Sequence, residues 1–230
     1  MLNKNKPVVL VGVGQRCGST WLYNYIRSHN RKWRHCTILP EEFFGSRVPT
    51  SITAKINFMN AAKNSGIYLN VSYFSYHVTD IIKYDKNWFN DYYKDFTLIK
   101  LNRNPLDRIF SNLFAENVFL PDSLPWNYNS ENVHRIEHLK ENYVYLTEDK
   151  IRTLIQRMYN QQINFNSISH SDVFDINYED LTTEYLDSIF GTLGMYGRMT
   201  NPVKLGIDYR EVFKDNINLI ESIYKEIYNI

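Results

Sequence analysis

Cysteine is nearly missing: Cys17 and Cys36 are the only two in 230 residues. That excludes a disulfide-stapled scaffold and a cysteine-rich zinc site, and two reduced thiols are expected. No apolar run approaches the ~20 residues that would span a bilayer, so no membrane span is expected. Met1 to Pro7 shows no hydrophobic leader before a cleavage site, which points to a cytoplasmic protein. Excess charge of one sign is lacking too. Lys and Arg number 26 against 25 Asp and Glu, a net charge of +1. A protein that holds nucleic acid through an overall basic field is thereby excluded, and no nucleic-acid partner is expected. Nine glycines and seven prolines are too few for a collagen-like or low-complexity chain.

What is present is ordinary globular composition with many aromatics, 43% apolar and 15% aromatic. The length suits one domain over 1–230, large enough for a packed core. Val8 to Val13 is a β-branched run that reads as a buried parallel strand. Gly14 to Ser19 reads as a loop, and a helix is expected from Gly18 to about Ser28. Further strands are expected at Ile67–Val71, Phe96–Leu101 and Val173–Asn177. Pro105 suits the first turn of a helix whose buried stripe is Ile109, Phe110, Leu113 and Phe114. Glu116 to Val133 reads as a long loop or lid. Thr147 fits an N-cap before a helix with Ile151, Leu154, Ile155 and Met158 on one face. A last helix carries Ile217, Ile220, Ile223, Tyr224 and Ile227. Strands alternating with helices predict an α/β fold with a central and mostly parallel sheet flanked by helices on both faces.

The first informative segment is Gly14-Gln15-Arg16-Cys17-Gly18-Ser19-Thr20-Trp21. A strand feeding a glycine turn into a helix gathers free backbone N–H groups around one point, and the helix dipole favours an anion there. Ser19 and Thr20 add hydroxyl donors. The nucleotide-triphosphate loop G-x-x-x-x-G-K-[ST] is the nearest generic motif, and the chain departs from it at the decisive position. Ser19, not lysine, follows Gly18, and the cation stands before the glycine at Arg16. The second segment is Arg103-Asn104-Pro105-Leu106-Asp107-Arg108-Ile109-Phe110-Ser111, which again leaves a strand and opens a helix.

With both segments in view the chain resembles the sulfotransferases that use 3′-phosphoadenosine 5′-phosphosulfate (PAPS). Arg16-Cys17-Gly18-Ser19-Thr20-Trp21-Leu22 is similar to that family's [KR]-x-G-[TS]-T loop for the 5′-phosphosulfate end. Arg103, Pro105, Asp107, Arg108 and Ser111 fit its R-x-P-x-[DE]-R-x-x-S motif, whose Arg and Ser bind the 3′-phosphate. Tyr73-Phe74 and Tyr178-Glu179-Asp180-Leu181 carry a weaker likeness, the first to the carbohydrate-acting branch and the second to a structural element after a late strand.

The resemblance implies a P-loop-like three-layer α/β fold, PAPS as co-substrate, 3′-phosphoadenosine 5′-phosphate (PAP) as product, and no metal. It places Gly14, Gln15, Arg16, Cys17, Gly18, Ser19, Thr20, Trp21, Arg103 and Ser111 at the nucleotide, with Arg16 as the cation of the transfer step. Trp21 either stacks on adenine or packs between helix and sheet. Cys17 stands in the family's small-residue slot, and in-line transfer needs no covalent enzyme intermediate. Asp107 and Arg108 are expected to brace the second motif. For the base that takes the acceptor's proton, Glu42 is the first choice and Glu41 the second; the alternative is a solvated acidic turn. His77 is the candidate by analogy with the cytosolic branch, off register by a few residues. The acceptor is expected to be a small molecule or a carbohydrate hydroxyl or amine. The alternatives are a P-loop nucleotide kinase-like phosphotransferase and a non-catalytic PAP- or PAPS-binding protein.

Overall fold

In the computed structural model the described residues are 8–14, 16–18, 22, 36–37, 51–64, 68–69, 71–72, 86–117, 146–190 and 208–230. The chain divides into two compact units, 1–103 with 161–202, and 104–160 with 203–230.

The first unit holds a four-stranded sheet. Its strands are β1 (Val8–Gly12), β4 (Val71–Ser72), β5 (Thr97–Asn102) and β6 (Val173–Asn177), in the order β4-β1-β5-β6 and all parallel. Two short strands, β2 (Cys36–Thr37) and β3 (Tyr68–Leu69), pair separately. The single strand expected at 67–71 is therefore two, β3 and β4, which serve different sheets. β1 and β5 are apolar without alternation because Val11, Leu98, Ile99 and Leu101 are all buried, which is the habit of a parallel strand covered on both faces. Gly12 lies beside Leu101, and Leu101 beside Ile176, so the carboxyl ends of three strands align.

Helices α1 (Ile52–Asn64), α2 (Lys86–Tyr93) and α5 (Thr183–Phe190) flank this sheet and share its core through Met59, Phe89, Leu186 and Phe190. The aromatics of α2 interlock: Phe89 and Tyr93 lie 4.8 Å apart, and Tyr93 meets Phe96 edge-on at 5.1 Å. Tyr92 donates to the Met59 carbonyl at 3.0 Å and ties α2 to α1. At the opposite end of the sheet from its carboxyl edge, Thr97 donates to the Asp172 carboxylate at 2.9 Å. His170 Nδ1 accepts from the Asp172 N–H, which leaves Nε2 to donate to the Tyr93 carbonyl at 2.7 Å. Lys100 rests 4.5 Å from the Phe165 ring; burial lowers its pKa and Asp175 beside it opposes that shift.

Burial pushes the Tyr92 phenol up to about 12 and the Tyr93 phenol well above its ordinary range, with Tyr92 adding to the latter. In the unfolded chain both ionise near 10. The unfolded state therefore sheds protons that the native state keeps, and stability falls as pH rises from about 10 toward 12. Urea unfolding between pH 8 and pH 11 is expected to show this loss, and Tyr93→Phe to make it shallower. An equal slope in the variant would place the alkaline sensitivity elsewhere.

The second unit is helical: α3 (Pro105–Asn117), the larger part of α4 (Glu148–Asn166), α6 (Tyr209–Val212) and α7 (Ile217–Tyr228). Asn104 caps α3, its Oδ1 accepting from the backbone N–H groups of Leu106 and Asp107, and Pro105 takes the first helical position as expected. The expected stripe Ile109, Phe110, Leu113 and Phe114 is buried against Ile151, Leu154, Ile155, Met158, Phe213, Ile220 and Ile223. Thr147 caps α4 as expected, through Lys150 N–H to its Oγ1 and Ile151 N–H to its carbonyl. Helix α3 runs through Asn117, so Glu116 is helical and not the start of a loop. The expected loop beyond it, and the helix expected after Leu22, lie outside the described residues.

Candidate active site

In the strand order β4-β1-β5-β6 the chain fills one side of β1 with β4, then crosses to the other side with β5. The order reverses between β1 and β5, and in an open α/β sheet ligands bind outside the carboxyl ends of the strands at such a point. The two sequence motifs leave the sheet at this place, the first after Gly12 and the second after Asn102.

The loop after β1 has an unusual backbone. Gly14 has φ 142°, Arg16 φ 63° and Gly18 φ 89°, while Cys17 between the last two is not left-handed. Alternation of this kind lets neighbouring N–H groups converge on an anion. A non-glycine residue at positive φ costs roughly 1–2 kcal/mol, and such residues gather at functional sites. Val13 N–H donates to the Leu101 carbonyl at 3.1 Å and Leu22 N–H to the Gly18 carbonyl at 3.2 Å, so both ends of the loop are pinned.

Arg103 reaches across to this loop. Its Nη1 donates to the Arg16 carbonyl at 2.5 Å, and its guanidinium carbon lies 4.3 Å from the centre of the Tyr178 ring. Its Nε is buried with no hydrogen-bond partner among the described residues. Tyr178 starts the short 3-10 turn Tyr178–Asp180 that follows β6. Leu181 N–H closes that turn on the Tyr178 carbonyl at 3.1 Å, and Asn177 donates to the Asp180 carboxylate at 3.1 Å. The same Tyr178 ring lies under Gly18. A Cβ there would stand 2.8 Å from Tyr178 Cε2 and 3.4 Å from Leu181 Cδ1.

The structure thus brings together Gly14, Arg16, Cys17, Gly18 and Arg103 in the first unit. Cys17, placed by the resemblance in the small-residue slot of the nucleotide loop, is fully buried in the hydrophobic core of that unit. Ser111 belongs to the second unit, where it is buried on α3. Arg108 is also fully buried there. Its guanidinium opposes the upward shift that burial gives the Tyr228 phenol, which still reaches about 12. Gln15, Ser19, Thr20, Trp21, Glu41, Glu42 and His77 lie outside the described residues. The residue that sequence reasoning underrated is Tyr178, read only as part of a structural element. The available signal was its position: it leaves β6 as Arg103 leaves β5, one strand over.

No family model matches the chain, and no curated protein matches it. Among solved structures it is similar to the crystal structure of a sulfotransferase from Alicyclobacillus acidocaldarius, at 18% identity over 96% of each chain and a TM-score of 0.44. A likeness of this degree bears on neither substrate nor chemistry. What the chain's own elements define is an α/β protein with a parallel, helix-flanked sheet and a glycine loop at its switch point. No helix among the described residues is long and apolar enough to cross a membrane.

Proposed function

We propose that the chain is a sulfotransferase that moves a sulfuryl group from PAPS to a hydroxyl or amine acceptor, a carbohydrate being the first choice. The observation that carries this reading is the Arg103 to Arg16 hydrogen bond, which joins the two motifs that resemble the family at the carboxyl edge of the sheet. The absence of a lysine after Gly18 weighs against a nucleotide kinase.

The residues present fit such a co-substrate. Gly18 lets the loop backbone lie directly against the Tyr178 ring, and the positive φ angles of Gly14, Arg16 and Gly18 suit the loop to an anion. Arg103 spends one Nη1 proton on the Arg16 carbonyl, which leaves Nη2 and the second Nη1 proton as donors for a phosphate. Bound PAPS supplies an activated sulfuryl group with the 5′-phosphate of PAP as its leaving group. Transfer of this kind should follow the logic of phosphoryl transfer, in which the protein contributes alignment and charge stabilisation. Arg16 stabilises the charge that builds on the bridging oxygen. A guanidinium stays protonated, so its part is electrostatic and not that of a proton donor. By analogy with the motifs, Arg103 binds the 3′-phosphate, and Ser19 and Thr20 join Gly18 at the 5′-phosphate. Glu42, Glu41 or His77 takes the acceptor's proton.

Calorimetry with PAP, adenosine 5′-phosphate, ADP and ATP tests the reading. A dedicated 3′-phosphate site with charge-assisted bonds worth about 1.5–3 kcal/mol should favour PAP over adenosine 5′-phosphate by about tenfold or more. Arg103→Ala should remove most of that preference. Equal affinities would sink the assignment, and tighter binding of ATP than of PAP would favour the kinase-like alternative. Tight PAP binding without PAPS turnover would leave a binding protein.

A further inference from the structure

We infer that Tyr178 is a positioning residue that sets both anion-binding segments at once, through its ring and not by touching the nucleotide. The inference rests on the nucleotide reading given above. It does not follow from the two motifs, neither of which contains Tyr178.

Two contacts on one ring carry it. The Gly18 Cα sits so close to the ring that no side chain fits between them. The Arg103 guanidinium lies against the same ring at 4.3 Å. A planar cation over an aromatic face is held in its plane, which fixes the direction of the remaining N–H donors. The second tie of Arg103, to the Arg16 carbonyl, then closes a circuit: loop, Arg103, ring and back to loop. The ring is itself anchored. Its residue stands at the exit of β6, which pairs with β5 through Asn102 and Asn177, and its carbonyl is held by Leu181. A flat, rigid side chain at position 178 therefore fixes the distance between the loop's backbone and the Arg103 donors. That distance is what a ligand carrying two separate phosphates would measure.

The role makes the ring essential and the hydroxyl dispensable. By calorimetry, Tyr178→Phe should bind PAP within about twofold of the parent, and Tyr178→Leu should bind about tenfold more weakly. Adding Arg103→Ala to Tyr178→Leu should cost less than the product of the two single losses, because the ring acts through Arg103. Losses that multiply, or a Tyr178→Phe variant as weak as Tyr178→Leu, would overturn the inference. The latter would make the hydroxyl a ligand contact. A measurement without nucleotide separates this from failure of the functional reading. In urea unfolding, Gly18→Ala should shift the midpoint less in a Tyr178→Leu background than alone, since a flexible side chain can move aside. Equal shifts would show that the ring does not set the loop, whatever the protein binds. If that coupling is present while PAP and adenosine 5′-phosphate bind equally, the positioning role stands and the nucleotide reading falls.

Discussion

Gly18→Ala is expected to be among the most damaging single substitutions in the chain. Two independent costs add. An alanine at φ 89° is strained by roughly 1–2 kcal/mol, and its Cβ would press into the rigid Tyr178 ring, where overpacking costs roughly 1–3 kcal/mol more. The sum is a large share of the ~5–15 kcal/mol that holds a typical domain together. Two outcomes express the same strain. Either the urea midpoint drops sharply, or the loop shifts off the ring and PAP affinity falls by about a hundredfold or more. A variant with unchanged midpoint and unchanged PAP affinity would show that the close approach of loop and ring is absent in solution.

Arg16→Ala is expected to act on the reaction and much less on the fold. Arg16 already holds φ 63°, so alanine adds little strain that the parent lacks. Arg103 reaches only the Arg16 backbone carbonyl, which the substitution keeps. On the proposed reading, what is lost is the cation that faces the departing phosphate. Loss of one such charge-stabilising group lowers turnover by about 10²–10³. PAP release from PAPS, with water or any accepted hydroxyl or amine as acceptor, should fall by that factor, while PAP affinity changes far less. Arg16→Lys should keep part of the activity. Parallel loss of turnover and PAP affinity would make Arg16 a binding residue only.

The elements read correctly from sequence are those in which one local rule dominates. β1, β5 and β6 are short β-branched or apolar runs, and α3, α4 and α7 carry stripes at helical spacing, with Pro105 opening α3 and Thr147 capping α4. Helices α1 and α2 escape such reading for physical reasons. In α1 the stripe is broken: Lys55 and Met59 are buried while Phe58 is half exposed, so polarity does not track burial. In α2 the buried residues are aromatic and stand among Asn and Asp, the company of a turn; their interlocking with Phe96 exists only once the chain is folded. The candidate site divides in the same way. Arg16, Gly18 and Arg103 are legible because each sits at a strand exit with a glycine or a cation. The bond from Arg103 to the Arg16 backbone, and the ring that both segments share, depend on strands far apart in sequence and have no local signature.

That wide separation bears on how the site comes into being. The Arg103 to Arg16 bond alone spans 87 residues of chain, and the ring beneath Gly18 is supplied later still, after β6. Contacts between parallel neighbours require long crossovers and form slowly. As the chain leaves the ribosome, the glycine loop emerges first yet lacks both its tether and its support until Tyr178 has been made. The arrangement of loop, Arg103 and ring is then the product of complete folding and not of an early local nucleus. A nucleotide that recognises only the finished loop draws the folding equilibrium toward the native sheet in proportion to its concentration over its dissociation constant.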